Sequence, residues 1–213
     1  MSKFSTEIRK TFNSEYVKVF LANNNELSDV RLRLIALQSV KRVNISNNNS
    51  DLTVYPKMPF SAIETKEQVE NALTSYYGDS NIDNSTLKDA IEIRDTFSSN
   101  SKAHKCYNDA IAKIVEGKYE RNILDDIRLA LELYLKEILG NSKPLEKQNS
   151  VLKDFLEKKG MSEELVKTHT QSLFNLCNFF NNHAKHDYKV KYEEVDTVIG
   201  YANQIMKGIQ NTR

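Results

Sequence analysis

Asn181-Asn182-His183-Ala184-Lys185-His186-Asp187 sets two imidazoles, an amine, a carboxylate and two side-chain amides at the end of an otherwise apolar helical stretch. An imidazole titrates near neutrality, so His186 is suited to giving or accepting a proton. If the helix continues through Asp187, Asn182 and His186 stand one turn apart on one side and reach a common ligand, while His183 and Lys185 diverge. His183 and His186, three apart, could together touch a metal ion with Asp187, but further ligands are not identifiable, and no metal or other cofactor is expected. The same run also suits a plain solvated helix end, where cationic His and Lys face the negative end of the helix dipole.

The helix leading into this run carries Val166, His169, Leu173, Leu176, Cys177 and Phe180 at steps of three and four, so one face is built for burial. His169, on that face, is expected as a hydrogen-bonded core histidine. Cys106 and Cys177 both sit at apolar helical positions and read as reduced core residues of a cytosolic protein rather than a disulfide. Further stripes precede and follow: Ala103 to Val115, Ile123 to Ile138 stopped by Gly140, Val151 to Leu156 stopped by Gly160, and Val195 to Ile209. Strong stripes separated by short turns predict an antiparallel helical bundle.

The N-terminal part changes period instead. Val17, Val19 and Leu21 alternate as a strand; Val30, Leu34 and Leu37 recur at helical spacing behind Ser28 as N-cap; Val43 and Ile45, then Leu52 and Val54, alternate again. Thr65 is read as the cap of a helix through Val69, Ala72, Leu73 and Tyr76, and the polar stretch 78–85 as a linker. The fold class expected is α+β, with a βαββα unit over residues 1–84 followed by the helical bundle over 85–213. The order resembles a ferredoxin-like domain lacking its final strand. RNA-binding versions of such domains need exposed aromatics on the central strands; Phe20 and Tyr55 are the candidates, although aromatics on strands also serve as packing residues.

With 30 basic against 29 acidic residues and a formal charge of +1, no global field advertises nucleic acid or an anionic membrane, so such binding would have to be local. The start, Met1 to Lys10, has no apolar core of signal-peptide length, and no stretch approaches 18 unbroken apolar residues, so a cytoplasmic location without membrane partners is expected. No glycine loop for phosphates and no nucleophile elbow is present.

Three stretches carry a family resemblance: residues 119–132, Asn141-Ser142-Lys143-Pro144-Leu145-Glu146, and Asn181 to Asp187. Together they make roughly 100–213 similar to the HEPN superfamily of bacterial defence, toxin and RNA-processing proteins, especially abortive-infection members. That family's signature is an arginine, a polar residue, a spacer and a histidine on a late helix; His186 takes the histidine place and Asn182 the polar place, while Asn181 stands where the arginine belongs. In active members the arginine holds the scissile phosphate and the histidine works on the 2′-hydroxyl or the leaving oxygen. An amide can bind a phosphate oxygen but brings no charge, so Lys185 or Arg128 would have to supply it. The resemblance implies His186, Asn182 and Lys185 as catalytic residues, and Asn181, His183 and Arg128 as RNA contacts. It also implies a homodimer paired through the late helices, RNA as partner, and a protein partner from the same operon. Arg128 has a structural reading as well, an i, i+4 salt bridge to Glu132 on one helix. Two functions follow: an RNA-directed effector of a bacterial or phage-related defence or toxin system acting as a metal-independent endoribonuclease, or a non-catalytic dimerisation and partner-docking module.

Overall fold

The computed structural model describes residues 2–12, 14–78, 82–98, 101–118, 121–182 and 191–212. The fold is α+β, a four-stranded antiparallel sheet in the N-terminal part followed by helices. Two compact units divide the chain: Met1–Leu87 with Ile111–Lys118, and Lys88–Ala110 with Tyr119–Arg213.

In the first unit the strands are β1 (Phe4–Lys10), β2 (Glu15–Leu21), β3 (Val40–Ile45) and β4 (Asp51–Pro56), in the spatial order β1-β2-β4-β3. Their helices are α1 (Leu27–Leu34) and α2 (Ala62–Tyr76). Period-two alternation decides the faces: Val17, Val19 and Leu21 are buried, whereas Tyr16, Lys18 and Phe20 between them are half-buried. Val17 lies opposite Val54, Val19 opposite Leu52, and Val43 opposite Val54, so the apolar positions of three strands share one side. Helix α2 packs on β1, β2 and β4, and α1 on β3 and β4. Val30 and Leu34 from α1, with Val69, Ala72 and Leu73 from α2, complete that core. The β2-α1-β3 crossover skips one position, filled by the antiparallel β4, which is a split βαβ arrangement.

One strand exceeds the expected βαββα order. β1 pairs antiparallel with β2 along its whole length and takes the edge position that a strand following α2 would occupy in a ferredoxin-like sheet. Its pattern was weak because only Phe4 and Ile8 are large and apolar among seven residues; an edge strand tolerates the charges Glu7, Arg9 and Lys10. Two caps also differ from expectation. Asn23, not Ser28, accepts from the Asn25 amide (3.1 Å) to begin a 3₁₀ turn that runs into α1. Ser61 and Glu64 form a reciprocal capping box at the start of α2, while Thr65 is buried inside the first turn, its hydroxyl donating to the Ser61 carbonyl (2.8 Å). Within the stretch read as a linker, Ile82 is buried and its carbonyl accepts from Arg33 Nη2 (2.9 Å), which also donates to Asn84 Oδ1 (2.8 Å).

The remaining helices are α3 (Asn84–Thr96), α4 (Lys102–Val115), α5 (Arg121–Leu139), α6 (Asn149–Lys158), α7 (Glu163–Asn182) and α8 (Tyr192–Gln210). Of these, α3 had no assigned stripe; Leu87, Ala90, Ile91 and Ile93 are its buried residues. Gly140 (φ +63°) and Gly160 (φ +79°) follow α5 and α6 in the left-handed region, where a Cβ would be strained, and stop them as expected. In the second unit α5, α6, α7 and α8 pack on one another. A polar pair lies in its core: the Tyr107 hydroxyl donates to Asn203 Oδ1, both residues buried, and Phe97 packs its ring on Tyr107 and Tyr134 (centroids 5.6 and 5.2 Å). Cys177 is buried and Cys106 half-buried, and both are free thiols. Among the described residues no helix is long and apolar enough to cross a membrane.

Candidate active site at the end of helix α7

Helix α7 delivers its polar end through the apolar face predicted for it: Val166, Leu173, Leu176, Cys177 and Phe180 are buried, and Asn181 and Asn182 emerge at its last turn, half-buried and exposed respectively. His183, Lys185, His186 and Asp187 lie outside the described residues. Three described candidates therefore remain to be placed: Asn181, Asn182 and Arg128.

Asn181 and Arg128 meet through a residue that spacing did not single out. The Arg128 guanidinium donates from Nη2 to Glu146 Oε1 (2.5 Å), and the Asn181 side chain hydrogen-bonds the same carboxylate. The expected Arg128–Glu132 pair on α5 does not form. Glu132 instead accepts from Lys136 Nζ (2.6 Å), one turn further along α5, and from the Leu145 amide (3.2 Å), which the loop after α5 brings back to it. Burial alone would raise the Glu146 carboxyl; its own backbone N–H, Arg128 and the Asn181 amide together outweigh that and hold it below the ordinary carboxylate range. Arg128 Nε is buried without a partner among the described residues, so the guanidinium retains a donor beyond the one given to Glu146.

The loop that presents Glu146 is built from the Asn141-to-Glu146 stretch itself. Gln148, fully buried, donates to Asn141 Oδ1 (2.9 Å) and the Lys143 carbonyl (2.7 Å), and accepts from Asn141 Nδ2 (3.1 Å). The Lys143 amide closes back onto Asn141 Oδ1 (2.8 Å), and Leu145 is buried as an apolar anchor. Such a satisfied polar network rigidifies a short loop, which is what placing one carboxylate between two helices requires. Beside Glu146 a polar cleft of about 450 Å³ is lined by Lys147, Asn149, Ser150, Lys153 and Thr170. In the sequence Glu146 stands only as the last residue of the Asn141-to-Glu146 stretch; the signal that points to it is the Asn141/Gln148 pair bracketing Pro144.

One turn before Asn181, burial first and then the Glu146 charge push the Cys177 thiol up to about 11, which removes it as a nucleophile. His169 is buried as expected, but among the described residues its Nδ1 has no hydrogen-bond partner, where a hydrogen-bonded core residue was expected. Its ring sits against Gly208 of α8, where the missing side chain makes room, and burial lowers its pKa. Between α7 and α8 an apolar groove is lined by Leu176, Phe179, Val198 and Tyr201, and Phe174 and Tyr201 stand about half exposed along these helices. No family model, curated protein or solved structure compared with the chain matches it.

Proposed function

We propose that this protein is an RNA-directed effector of a bacterial or phage-related defence or toxin system, whose helical part cleaves RNA without a metal ion. The observation that carries the reading is the Arg128–Glu146–Asn181 cluster. The guanidinium missing from the signature position reaches the same end of α7 from α5, joined to Asn181 through one carboxylate. In this reading Arg128 holds a non-bridging phosphate oxygen through the terminal guanidinium N–H groups that Glu146 leaves unused, and Asn182 orients the ribose. His186 takes the proton from the 2′-hydroxyl as O2′ attacks phosphorus. The P–O5′ bond breaks, O5′ takes a proton from the Lys185 ammonium as it leaves, and a 2′,3′-cyclic phosphate remains. Lys185 and His183 contact the strand, and Lys147 and Lys153 line its path along the cleft. The active form is a homodimer joined along α7 and α8, whose exposed Phe174 and Tyr201 suit a partner surface better than water.

The test is RNA cleavage by the purified chain in the presence of a chelator, with end-group analysis. Cyclic phosphate ends, loss of activity in His186→Ala with an unchanged melting temperature, and a fall of about 10²-fold or more in Arg128→Ala are expected. Full activity in His186→Ala, or cleavage abolished by the chelator, refutes the mechanism. Light scattering tests the dimer: Phe174→Glu with Tyr201→Glu should give a monomer, and a wild-type monomer at tens of micromolar removes that part of the reading.

A further inference from the structure

We propose that the sheet face turned away from α1 and α2 is a stacking platform for single-stranded nucleic acid. Alternation along the strands places Arg9 opposite Tyr16 and Tyr55 opposite Arg42, and the Tyr16 and Tyr55 rings meet across β2 and β4 at 5.8 Å between centroids. One row of Arg, Tyr, Tyr, Arg therefore crosses all four strands. The Arg42 guanidinium lies 4.0 Å over the Tyr55 ring, and that of Arg9 lies 5.8 Å over Phe20. The three rings are half-buried and the two arginines exposed.

The chemistry of this face selects its occupant. An aliphatic protein surface would be met by aliphatic side chains; here rings, arginines and short polar groups such as Thr53 and Asn44 stand outward, while Val17, Val19, Leu52 and Val54 all point to the core. Both carboxylates on the face are already neutralised, Glu7 by Arg9 and Asp51 by Lys18. Arg42 has no carboxylate partner among the described residues, so the face is left with net positive charge. Rings that accept bases face to face, flanked by guanidinium groups that accept phosphates or stack in turn, match a strand whose bases are unpaired. A duplex hides its base faces in its own stack and offers this surface only phosphates. The platform does not depend on the cleavage reading, because it can bind a strand that is never cut.

Fluorescence anisotropy of the full chain carrying His186→Ala, with labelled oligouridylate and oligothymidylate of about twelve nucleotides, tests this. Binding to the single strands, with a duplex of equal length bound much more weakly, is expected. Equal affinity for the two strands assigns the recognition to stacking and phosphate alone, and tighter RNA binding adds the 2′-hydroxyl; either supports the platform. Tyr55→Ala should weaken binding about tenfold while Tyr55→Phe keeps it, and Arg42→Glu, at an exposed position that folding does not need, should weaken it and flatten its salt dependence. No binding at about 100 µM protein, or wild-type affinity in both Tyr55→Ala and Arg42→Glu, overturns the proposal. Because cleavage is scored on the wild type and binding on an inactive background, each reading fails on its own measurement.

Discussion

Tyr107→Phe is the cleanest probe of how the helical unit is held together. The substitution keeps the ring, and with it the contacts to Phe97, and removes only the hydroxyl that donates to Asn203. Tyr107 is fully buried and Asn203 nearly so, so water cannot replace the lost donor. A buried polar atom deprived of its partner costs about 1–3 kcal/mol. For a chain of this length each kcal/mol lowers the melting temperature by about 2–4 °C, so a fall of about 4–8 °C is expected for a loss near the middle of that range. The same hydroxyl gives an independent readout. Burial raises the Tyr107 phenol above its ordinary value near 10, so the unfolded chain loses this proton first as pH rises. Stability from this group is complete below about pH 10 and declines above it, by up to about 1.4 kcal/mol per pH unit. Thermal melts of the two proteins at pH 8 and pH 11 should therefore differ less at the higher pH. A melting temperature within about 1 °C of wild type at pH 8, with the same alkaline slope, would refute the buried bond.

Two glycines of α8 should respond with opposite signs to alanine. At Gly200 a Cβ meets nothing within 4 Å, so Gly200→Ala should stabilise by about 0.5–1 kcal/mol through helix propensity; at Gly208 it would fall 2.2 Å from His169 Cε1, so Gly208→Ala should destabilise, and paired denaturant melts give both signs. His169 should confer a mild acid sensitivity. Its folded pKa is depressed by burial, so the unfolded chain takes up the proton first, stability falls as pH drops below about 6.5, and His169→Leu should flatten the slope between pH 7 and 5. Arg33→Ala strips a buried guanidinium from the Ile82 carbonyl and Asn84, and a loss of about 2–3 kcal/mol is expected by chemical denaturation. Thiol titration of the native protein should leave Cys177 unmodified until denaturant is added, because it is buried and its pKa lies near 11.

The helices of the second unit could be read along the chain because their cores are amphipathic stripes, and a stripe is a local property of spacing. Ile123 to Leu135 and Val195 to Ile209 are buried at the positions their period demands, and Gly140 and Gly160 stop their helices by a conformation that glycine alone adopts freely. The alternation of Val17, Val19 and Leu21 likewise declared β2, with Tyr16 and Phe20 on the other face. What spacing could not supply were relations between distant residues. Strand β1 is set by pairing with β2 rather than by its own hydrophobicity, and Ser61 won the cap of α2 because Glu64 could return its hydrogen bond. Arg128 looked equally able to pair with Glu132 one turn away. The choice of Glu146 followed from a loop closed by Gln148 and Asn141, and that choice is what brings a guanidinium to Asn181. The Arg9–Tyr16–Tyr55–Arg42 row is the same kind of fact: four residues from four strands, adjacent only once the register is chosen. Periodicity is written into neighbouring residues and survives without a fold, whereas a hydrogen bond or a ring contact across elements exists only when packing has fixed which strand and which loop lie side by side.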